Sequence, residues 1–375
     1  MSPPAEEPIV RIREQRTACG RRIGIATLNS PASLNALSLE MVDGLQVQLT
    51  QWATDPEVVA VMLDGEGEKA FCAGGDLRSL YQSIRDSGSE PNAYARQFFS
   101  REYRLDYLIH TYPKPLLCWG HGIVMGGGMG LMAGASHRVV TERTRMAMPE
   151  IGIGLFPDVG GSWFLNRLPV RTGLFLALTG APLNAADALF AGLADFCLPH
   201  ASRDAVVAAM ARAEWHRDPA ADGRLLSHLL LAQAEPATAS AESNLRANFD
   251  AIQLLIGTDG LADIATRLEQ AAGGDSWLGA GAARFLQGSP TSAALAHALL
   301  QRARHLSLRE VFQMEFDVAI GCCAHHDFAE GIRALLVDKD RKPRWQPARL
   351  AEVDAALIES HFKTRQGPNP LADLR

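Results

Sequence analysis

The chain has 375 residues, of which 47% are hydrophobic and 21% are charged, and its formal net charge is −6. This composition is typical of a soluble globular protein, and the length allows one large domain with an appendage or two domains. The acidic balance and the lack of a dense Lys/Arg run argue against a nucleic-acid partner. No apolar run approaches the length of a membrane span, and the opening residues MSPPAEEPIV lack the pattern of a signal peptide, so we expect no membrane partner.

Predicted strands and helices alternate through the first 200 residues. IVRIREQR and RRIGIATLN are predicted to form a β-hairpin that leads into the Asn/Ser/Pro turn at 29–33. LSLEMVDGLQVQLTQWATD has helical spacing, with Ser38 as its N-cap. VVAVMLDGEG, PLLCWGHGIV, HRVVTE and RMAMP are each predicted to form a strand. This alternation is typical of layered α/β folds.

The pattern changes after residue 200. From Ser202 to about Leu335 the chain is rich in Ala and Leu with 3.6-residue periodicity, interrupted at GTDG, AAGGD and GSPTS. We therefore predict an α/β core over residues 1–200 and a helical region over residues 201–375 that packs on this core.

The cysteine pattern indicates reduced thiols and predicts a cytoplasmic protein. The run CCAHH (322–326) superficially suggests a metal site. Adjacent cysteines cannot easily direct both sulfurs at one ion, and no second CxxC or HxxxH pattern supports a tetrahedral site. We interpret this run as the buried end of a helix and predict no metal. The six cysteines are Cys19, Cys72, Cys118, Cys197, Cys322 and Cys323.

Two glycine clusters stand at predicted strand-to-helix turns. In KAFCAGGDLRSL (69–80) a strand ends before Gly74-Gly75, and Asp76 can cap the next helix. In HGIVMGGGMGLMAG (121–134) a strand leads into three glycines and a helix of small residues. Glycine lets backbone N–H groups approach a ligand closely, and two such turns can direct two N–H groups at one oxyanion. The alternative is that the glycines serve only the tight packing of helix on strand.

Other catalytic motifs are absent from the sequence or weak. No G-x-S-x-G elbow, HExxH or P-loop occurs. Residues 128–133 match the dinucleotide fingerprint loosely, but three contiguous glycines and a poor βαβ context argue against a nicotinamide cofactor.

The stretch MPEIGIGLFPDVGG (148–161) places two acids, Glu150 and Asp158, among apolar residues, glycine and proline. Carboxylates are rarely placed in such surroundings unless they are paired or functional. The glycines and Pro157 prevent a continuous helix, so helical spacing does not set the relative placement of the two acids. These acids are the best acid–base candidates in the chain.

Together these motifs resemble the crotonase (enoyl-CoA hydratase/isomerase) superfamily. The resemblance implies an α/β fold, a crotonase-like spiral of ββα units with a helical C-terminal half. It also implies that the thioester carbonyl of an acyl-CoA binds the backbone N–H groups of Gly75 and Gly127. The segment LNSPASLNALS (28–38) looks like the N-terminal signature that borders the CoA pocket in this superfamily.

The acids distinguish between branches of the superfamily. Hydratases carry two catalytic glutamates, and the corresponding positions here are Gly130 and Glu150. Asp158 stands where hydratases usually have glycine. Loss of the first glutamate argues against hydratase chemistry, because protonation and water activation would fall on one carboxylate.

The combination resembles the 3-hydroxyisobutyryl-CoA hydrolase branch, and the resemblance runs almost from end to end. It covers FFSREYRLDYLI, AMPEIGIGLFPDVGGSWFL, SPTS (289–292) and HDFAEGIRALLVDKDRKPRWQP. In that branch the residues corresponding to Glu102, Gly127, Glu150 and Asp158 line the substrate site.

The resemblance implies hydrolysis of a short 3-hydroxyacyl-CoA thioester, most simply 3-hydroxyisobutyryl-CoA in valine breakdown, with CoA as part of the substrate and no other cofactor. Glu150 acts either as the base for water or as a nucleophile, and Asp158 orients the 3-hydroxyl or moves protons. The alternatives are an enoyl-CoA hydratase or isomerase and a non-catalytic acyl-CoA-binding protein of the same fold. The sequence determines neither the acyl group nor the oligomeric state. A homo-oligomer is one of the states that it allows.

Overall fold

A computed structural model of the chain describes residues 7–88, 90–234, 241–365 and 367–375. The chain folds into two compact units that alternate along the sequence. The first comprises Met1–Gly75, Leu108–Met146 and Asn184–Glu242, and the second comprises Asp76–Tyr107, Ala147–Leu183 and Ser243–Arg375. The division into residues 1–200 and 201–375 stays a prediction.

The described residues form two sheets, and apart from the last residue of β8 these sheets belong to the first unit. The larger sheet has the strand order β1-β2-β3-β5-β7-β9, and the smaller has the order β4-β6-β8. β1 and β2 pair antiparallel, as the predicted hairpin requires, and the other neighbours in the larger sheet pair parallel. The strands of the described residues are β1 (Val10–Arg16), β2 (Arg22–Leu28), β3 (Val58–Gly65), β4 (Ala70–Cys72), β5 (Leu116–Gly120), β6 (Ile123–Met125), β7 (His137–Val140), β8 (Arg145–Ala147) and β9 (Phe196–Cys197).

The helices dominate the chain after residue 200, as predicted. In the described residues no strand follows β9. A π-helix covers Arg333–Val337, and 3-10 turns cover Pro31–Ser33, Glu150–Ile153, Leu165–Arg167, His200–Ser202 and Leu350–Glu352. The α-helices are α1 (Leu39–Thr54), α2 (Leu77–Ser87), α3 (Ala93–His110), α4 (Gly127–Ala133), α5 (Gly161–Phe164), α6 (Thr172–Thr179), α7 (Ala185–Ala191), α8 (Arg203–Arg212), α9 (Pro219–Leu231), α10 (Asn244–Ala247), α11 (Phe249–Ile256), α12 (Leu261–Ala271), α13 (Trp277–Gln287), α14 (Pro290–Ala303), α15 (Leu308–Cys323), α16 (His326–Ile332) and α17 (Ala355–His361).

The core of the first unit lies between the larger sheet and helices α8 and α9. Strand β3 is buried along seven consecutive residues, which is expected of a parallel strand covered on both faces. The continuous apolar run VVAVML therefore forms an interior strand. The side chains that pack together in this core include Ile23, Ile25, Val59, Met62, Trp119, Val206, Met210, Leu226 and Leu230.

The segment PLLCWGHGIV forms two strands where the sequence predicted one. β5 belongs to the larger sheet and β6 to the smaller sheet, and the chain turns between them at Gly122. Gly122 has a φ of +58°, and a Cβ atom there would lie 2.3 Å from the carbonyl oxygen of Lys69. Only glycine tolerates this backbone conformation and this close approach, so one apolar run serves both sheets.

The predicted helix caps and the CCAHH helix end are present. The Ser38 side chain accepts a hydrogen bond from the Met41 N–H at 3.2 Å, and Asp76 accepts bonds from the first turn of α2. Helix α15 ends at Cys323, and both Cys322 and Cys323 are buried. The interpretation of this run as a buried helix end is thus confirmed.

Within the described residues, no helix has the length and apolar character needed to cross a bilayer.

Candidate active site

The two glycine clusters lie at the same edge of the smaller sheet. β4 and β6 pair parallel, with Ala70 opposite Ile123 and Cys72 opposite Val124. Because the carboxyl ends of parallel strands meet at one edge, the turns that follow both strands are neighbours. The sequence placed both clusters after strands, and this pairing is what brings them together.

The contact between the two turns is close. Gly74 has a φ of +111°, and a Cβ atom there would lie 3.9 Å from the Gly127 nitrogen. Gly127 is the first residue of α4, whose leading N–H groups have no partner within the helix. Among the described residues, neither the Gly75 nor the Gly127 N–H donates a hydrogen bond to a protein acceptor. The turn at Gly74 thus lies against the start of α4, as oxyanion binding by the Gly75 and Gly127 N–H groups would require.

A cavity of about 340 Å³ lies beside the segment that resembles the CoA-binding signature. Its walls come from residues 31, 32, 34, 35 and 66–70, all in the first unit. Asn35 holds these walls together, because its side-chain amide donates to the carbonyl oxygens of Glu66 and Ala70, each at 3.0 Å. The charged residues of the lining are Lys69, Glu66 and Glu68.

Three predicted site acids come together in the second unit. Glu102 lies on α3, Glu150 begins a 3-10 turn, and Asp158 precedes α5, and all three are at most 5% exposed. Burial raises the pKa of Glu102 and of Glu150 well above the usual range, and the charge of Asp158 raises both pKa values further. The three carboxyls therefore lie within electrostatic range of one another.

The pKa of Asp158 is raised as well, but a hydrogen bond limits the rise. Burial raises the pKa of Asp158 to about 6, and the hydrogen bond from Tyr103 opposes this rise. The Tyr103 hydroxyl donates to Oδ2 of Asp158 at 2.7 Å. Neighbouring carboxyls with separated pKa values are suited to different roles, one as a proton donor and another as an anion.

Glu150 has an open hydrogen-bonding position. Its Oε2 atom is buried and accepts no hydrogen bond from the described residues. This oxygen is therefore available to accept a hydrogen bond from a water or substrate molecule.

Sequence reasoning missed three further residues of this cluster. Tyr103 and Asp106 lie on α3 beside Glu102, and Glu315 lies on α15. Asp106 is fully buried, and neither of its oxygens has a hydrogen-bond partner in the described part of the chain. Burial and the charge of Glu102 raise the pKa of Asp106 well above the usual range. The i,i+4 spacing of Glu102 and Asp106 within an otherwise partly apolar helix was a usable signal.

Glu315 is also fully buried, and both of its carboxylate oxygens are occupied. Oε2 accepts from the Gly160 N–H at 2.7 Å, and Oε1 accepts from the Ser162 N–H at 2.8 Å. Burial raises the pKa of Glu315 to about 8, and the hydrogen bonds from Ser162 and Gly160 oppose this rise. An acid within the apolar run VFQMEFDVAI was the available sequence signal.

The sequence profile of the enoyl-CoA hydratase/isomerase family matches residues 23–362. The chain belongs to this family. Membership agrees with the glycine turns and with the α/β fold, and it confirms the resemblance on which the site residues were chosen.

Curated relatives of this family member carry the name 3-hydroxyisobutyryl-CoA hydrolase, mitochondrial. The Gallus gallus protein is 39% identical over 91% of this chain and 86% of its own length. The Danio rerio protein is 38% identical over 92% of this chain and 87% of its own length. The Homo sapiens protein is 36% identical over 91% of this chain and 86% of its own length.

Solved structures of similar proteins confirm the crotonase-like fold of this family member. The crystal structure of a carnitinyl-CoA dehydratase from Mycobacterium thermoresistibile has a TM-score of 0.83 and 38% identity, covering 95% of this chain and 97% of its own. The crystal structure of an enoyl-CoA hydratase from Rhodobacter sphaeroides 2.4.1 has a TM-score of 0.80 and 37% identity. The match covers 94% of this chain and 97% of the Rhodobacter chain. The predicted α/β crotonase-like architecture is therefore correct.

Proposed function

We propose that the protein hydrolyses a short 3-hydroxyacyl-CoA thioester to the free acid and CoA, with 3-hydroxyisobutyryl-CoA as the preferred substrate, a reaction of valine breakdown. The observation that carries the proposal is the buried carboxyl cluster of the second unit, in which Glu150 and Asp158 interact while Gly130 occupies the position of the first hydratase glutamate. The names of the curated relatives support the same reaction.

The first step of the proposed reaction is polarisation of the thioester carbonyl. The N–H groups of Gly75 and Gly127 donate to the carbonyl oxygen and stabilise the negative charge that develops on it in the tetrahedral intermediate. The cavity beside Asn35 and Lys69 supports binding of the CoA portion, where a lysine ammonium suits a phosphate.

The carboxyls supply the proton transfers. Glu150 either removes a proton from the attacking water or attacks the carbonyl itself to form an anhydride that water then cleaves. Burial and Asp158 raise the pKa of Glu150, so its carboxylate is a stronger base than that of an ordinary glutamate. In the first route, Glu150 passes the proton that it took from water to the departing CoA sulfur. In the second route, CoA leaves as the thiolate when the anhydride forms, and the water that cleaves the anhydride restores the Glu150 carboxylate and protonates the thiolate. Asp158, held by Tyr103 and supported by Glu102, accepts a hydrogen bond from the substrate 3-hydroxyl.

A thiol-release assay against a panel of acyl-CoA thioesters tests this proposal. We expect CoA release from 3-hydroxyisobutyryl-CoA well above that from crotonyl-CoA or acetyl-CoA. Rapid hydration of crotonyl-CoA without thiol release would favour the hydratase alternative, the activity for which the Rhodobacter relative is named. Tight binding of acyl-CoA with neither reaction would favour a binding protein. The oligomeric state and the cytoplasmic location stay predictions.

A further inference from the structure

Glu315 contacts the turn that follows Asp158. The turn runs from Asp158 through Gly160 to the start of α5, and Glu315 accepts the N–H groups of Gly160 and Ser162 with one carboxylate oxygen each. Both contacts are buried, and they join residues more than 150 positions apart in the sequence. The carboxyl end of the Glu315 side chain is thereby fixed to the backbone two residues beyond Asp158.

The turn itself has a strained backbone. Val159 has a φ of +53°, a conformation that β-branched residues rarely adopt, and it is followed by Gly160 with a φ of +83°. Such a residue persists only where the surrounding structure holds it, and such positions cluster at functional sites. The two bonds to Glu315 are direct restraints on this part of the backbone.

Apolar packing alone does not account for an acid at position 315. The charge of Asp158 disfavours a second ionised carboxyl nearby, and a buried acid costs more free energy than an apolar residue of the same size. What the carboxylate adds is two acceptors for N–H groups that are buried at the turn. We therefore infer that the acid at position 315 holds the backbone of this turn in place.

We propose that Glu315 is a positioning residue that holds the turn of residues 158–162 so that Asp158 presents its carboxylate to the 3-hydroxyl of the substrate. This inference rests on the proposed function, because it assigns Glu315 a part in selecting 3-hydroxyacyl thioesters. Glu315 acts through Asp158 and does not itself contact the substrate. Tyr103, which lies on α3, also restrains the Asp158 carboxylate by donating a hydrogen bond to it.

The test is a double-mutant cycle in which kcat/KM is measured for two substrates. Glu315→Gln places a side-chain NH2 group against one backbone N–H and so loses one of the two bonds. We expect kcat/KM for 3-hydroxyisobutyryl-CoA to fall on the order of 10- to 100-fold, as for other small misplacements of reacting groups. For isobutyryl-CoA, which lacks only the hydroxyl, the loss is expected to be a few-fold at most. Because Glu315 acts through Asp158, the double variant Asp158→Asn/Glu315→Gln is expected to match Asp158→Asn alone.

A matched control is Asp327→Asn. Asp327 is another buried acid of the second unit, and it accepts hydrogen bonds from the Ser289 hydroxyl and the Gln346 N–H. This variant is expected to lower the unfolding temperature while leaving the ratio of the two kcat/KM values unchanged. If Glu315→Gln does not fold, Glu315→Asp, whose shorter side chain cannot reach both N–H groups, replaces it in the cycle with the same expectation.

The outcomes separate the inference from the proposed function. A wild-type enzyme that hydrolyses 3-hydroxyisobutyryl-CoA, with equal losses for both substrates in Glu315→Gln or with multiplicative losses in the double variant, overturns the inference alone. A wild-type protein that releases no CoA from either thioester overturns the proposed function and the inference together.

Discussion

At the scale of single residues, burial decides what the acids can do. Glu102, Glu150 and Asp158 would be ordinary ionised groups on the surface, but in the interior the cost of charge shifts their pKa values upward. Mutual repulsion adds to this shift, and the hydroxyl of Tyr103 favours charge on Asp158. The result is a cluster of three carboxyls whose pKa values all lie above their ordinary values, that of Asp158 at about 6.

Glu150→Gln keeps the shape of the side chain and removes its ability to accept a proton. We expect kcat to fall by about 100- to 10,000-fold, the usual range for loss of an acid–base group. The dissociation constant of the CoA ester should stay within a few-fold of wild type, as measured by equilibrium titration. The exposed Glu269 gives a control, since Glu269→Gln should leave both quantities unchanged. A folded Glu150→Gln variant with normal turnover would exclude Glu150 from the chemistry.

Asp158→Asn replaces an acceptor of the substrate hydroxyl with an amide. We expect a larger loss of kcat/KM for 3-hydroxyisobutyryl-CoA than for isobutyryl-CoA, because only the first substrate offers the hydroxyl. The comparison requires thiol-release rates for both thioesters with the same enzyme preparation. Equal losses would mean that Asp158 does not recognise the hydroxyl.

At the scale of elements, the parallel pairing of β4 with β6 places two glycine turns side by side. The turns contain Gly74 with a φ of +111° and Gly126 with a φ of +50°, conformations that favour glycine, and α4 begins directly at Gly127. The N–H groups are therefore directed by backbone geometry, which no side-chain substitution can replace.

Gly127→Val tests this arrangement. A β-branched side chain at the first residue of α4 should crowd the thioester, and we expect kcat/KM to fall on the order of 100- to 1000-fold, the effect of losing one oxyanion donor. Gly260→Val is the control, because a Cβ atom at Gly260 meets open space and its φ is not positive. Unfolding monitored by circular dichroism checks that both variants are folded. If Gly127→Val retained wild-type rates, the glycine clusters would be features of packing only.

At the scale of the whole molecule, the buried acids couple stability to pH. The pKa values of about 6 for Asp158 and about 8 for Glu315 lie above the ordinary values of 3.8 and 4.5. A carboxyl whose pKa is higher in the folded state binds its proton more tightly there, so its stabilising contribution is full below the unfolded value and is lost as pH rises through the folded value.

We therefore expect the free energy of unfolding of the wild-type protein, relative to that of Glu315→Gln, to fall as pH rises between about 5 and 9. The variant is neutral at this position at every pH, so the slope of the difference isolates Glu315. Urea unfolding at several pH values in this range provides the measurement. Parallel stability curves for the two proteins would show that Glu315 has no raised pKa in the folded state.

The sequence by itself determined the elements whose signals are local. The β1–β2 hairpin, helix α1 with its Ser38 cap and the buried end of α15 follow from periodicity, turn residues and capping, all of which act over a few residues. Glu150 and Asp158 were identified because acids are conspicuous among apolar residues and glycines. Motif resemblance added Glu102 and the two glycines, Gly75 and Gly127, for which we propose the oxyanion role.

The other features of the site and of the fold were determined only by the tertiary structure, because the contacts that fix them join segments that are distant in the sequence. Tyr103 lies 55 positions from Asp158, and Glu315 lies 155 positions from Gly160, so no local pattern predicts either pair. The division of PLLCWGHGIV into two strands likewise depends on the carbonyl oxygen of Lys69, which packs against Gly122. The raised pKa values arise from burial and neighbouring charges, and folding creates these conditions when it removes water from around the acids.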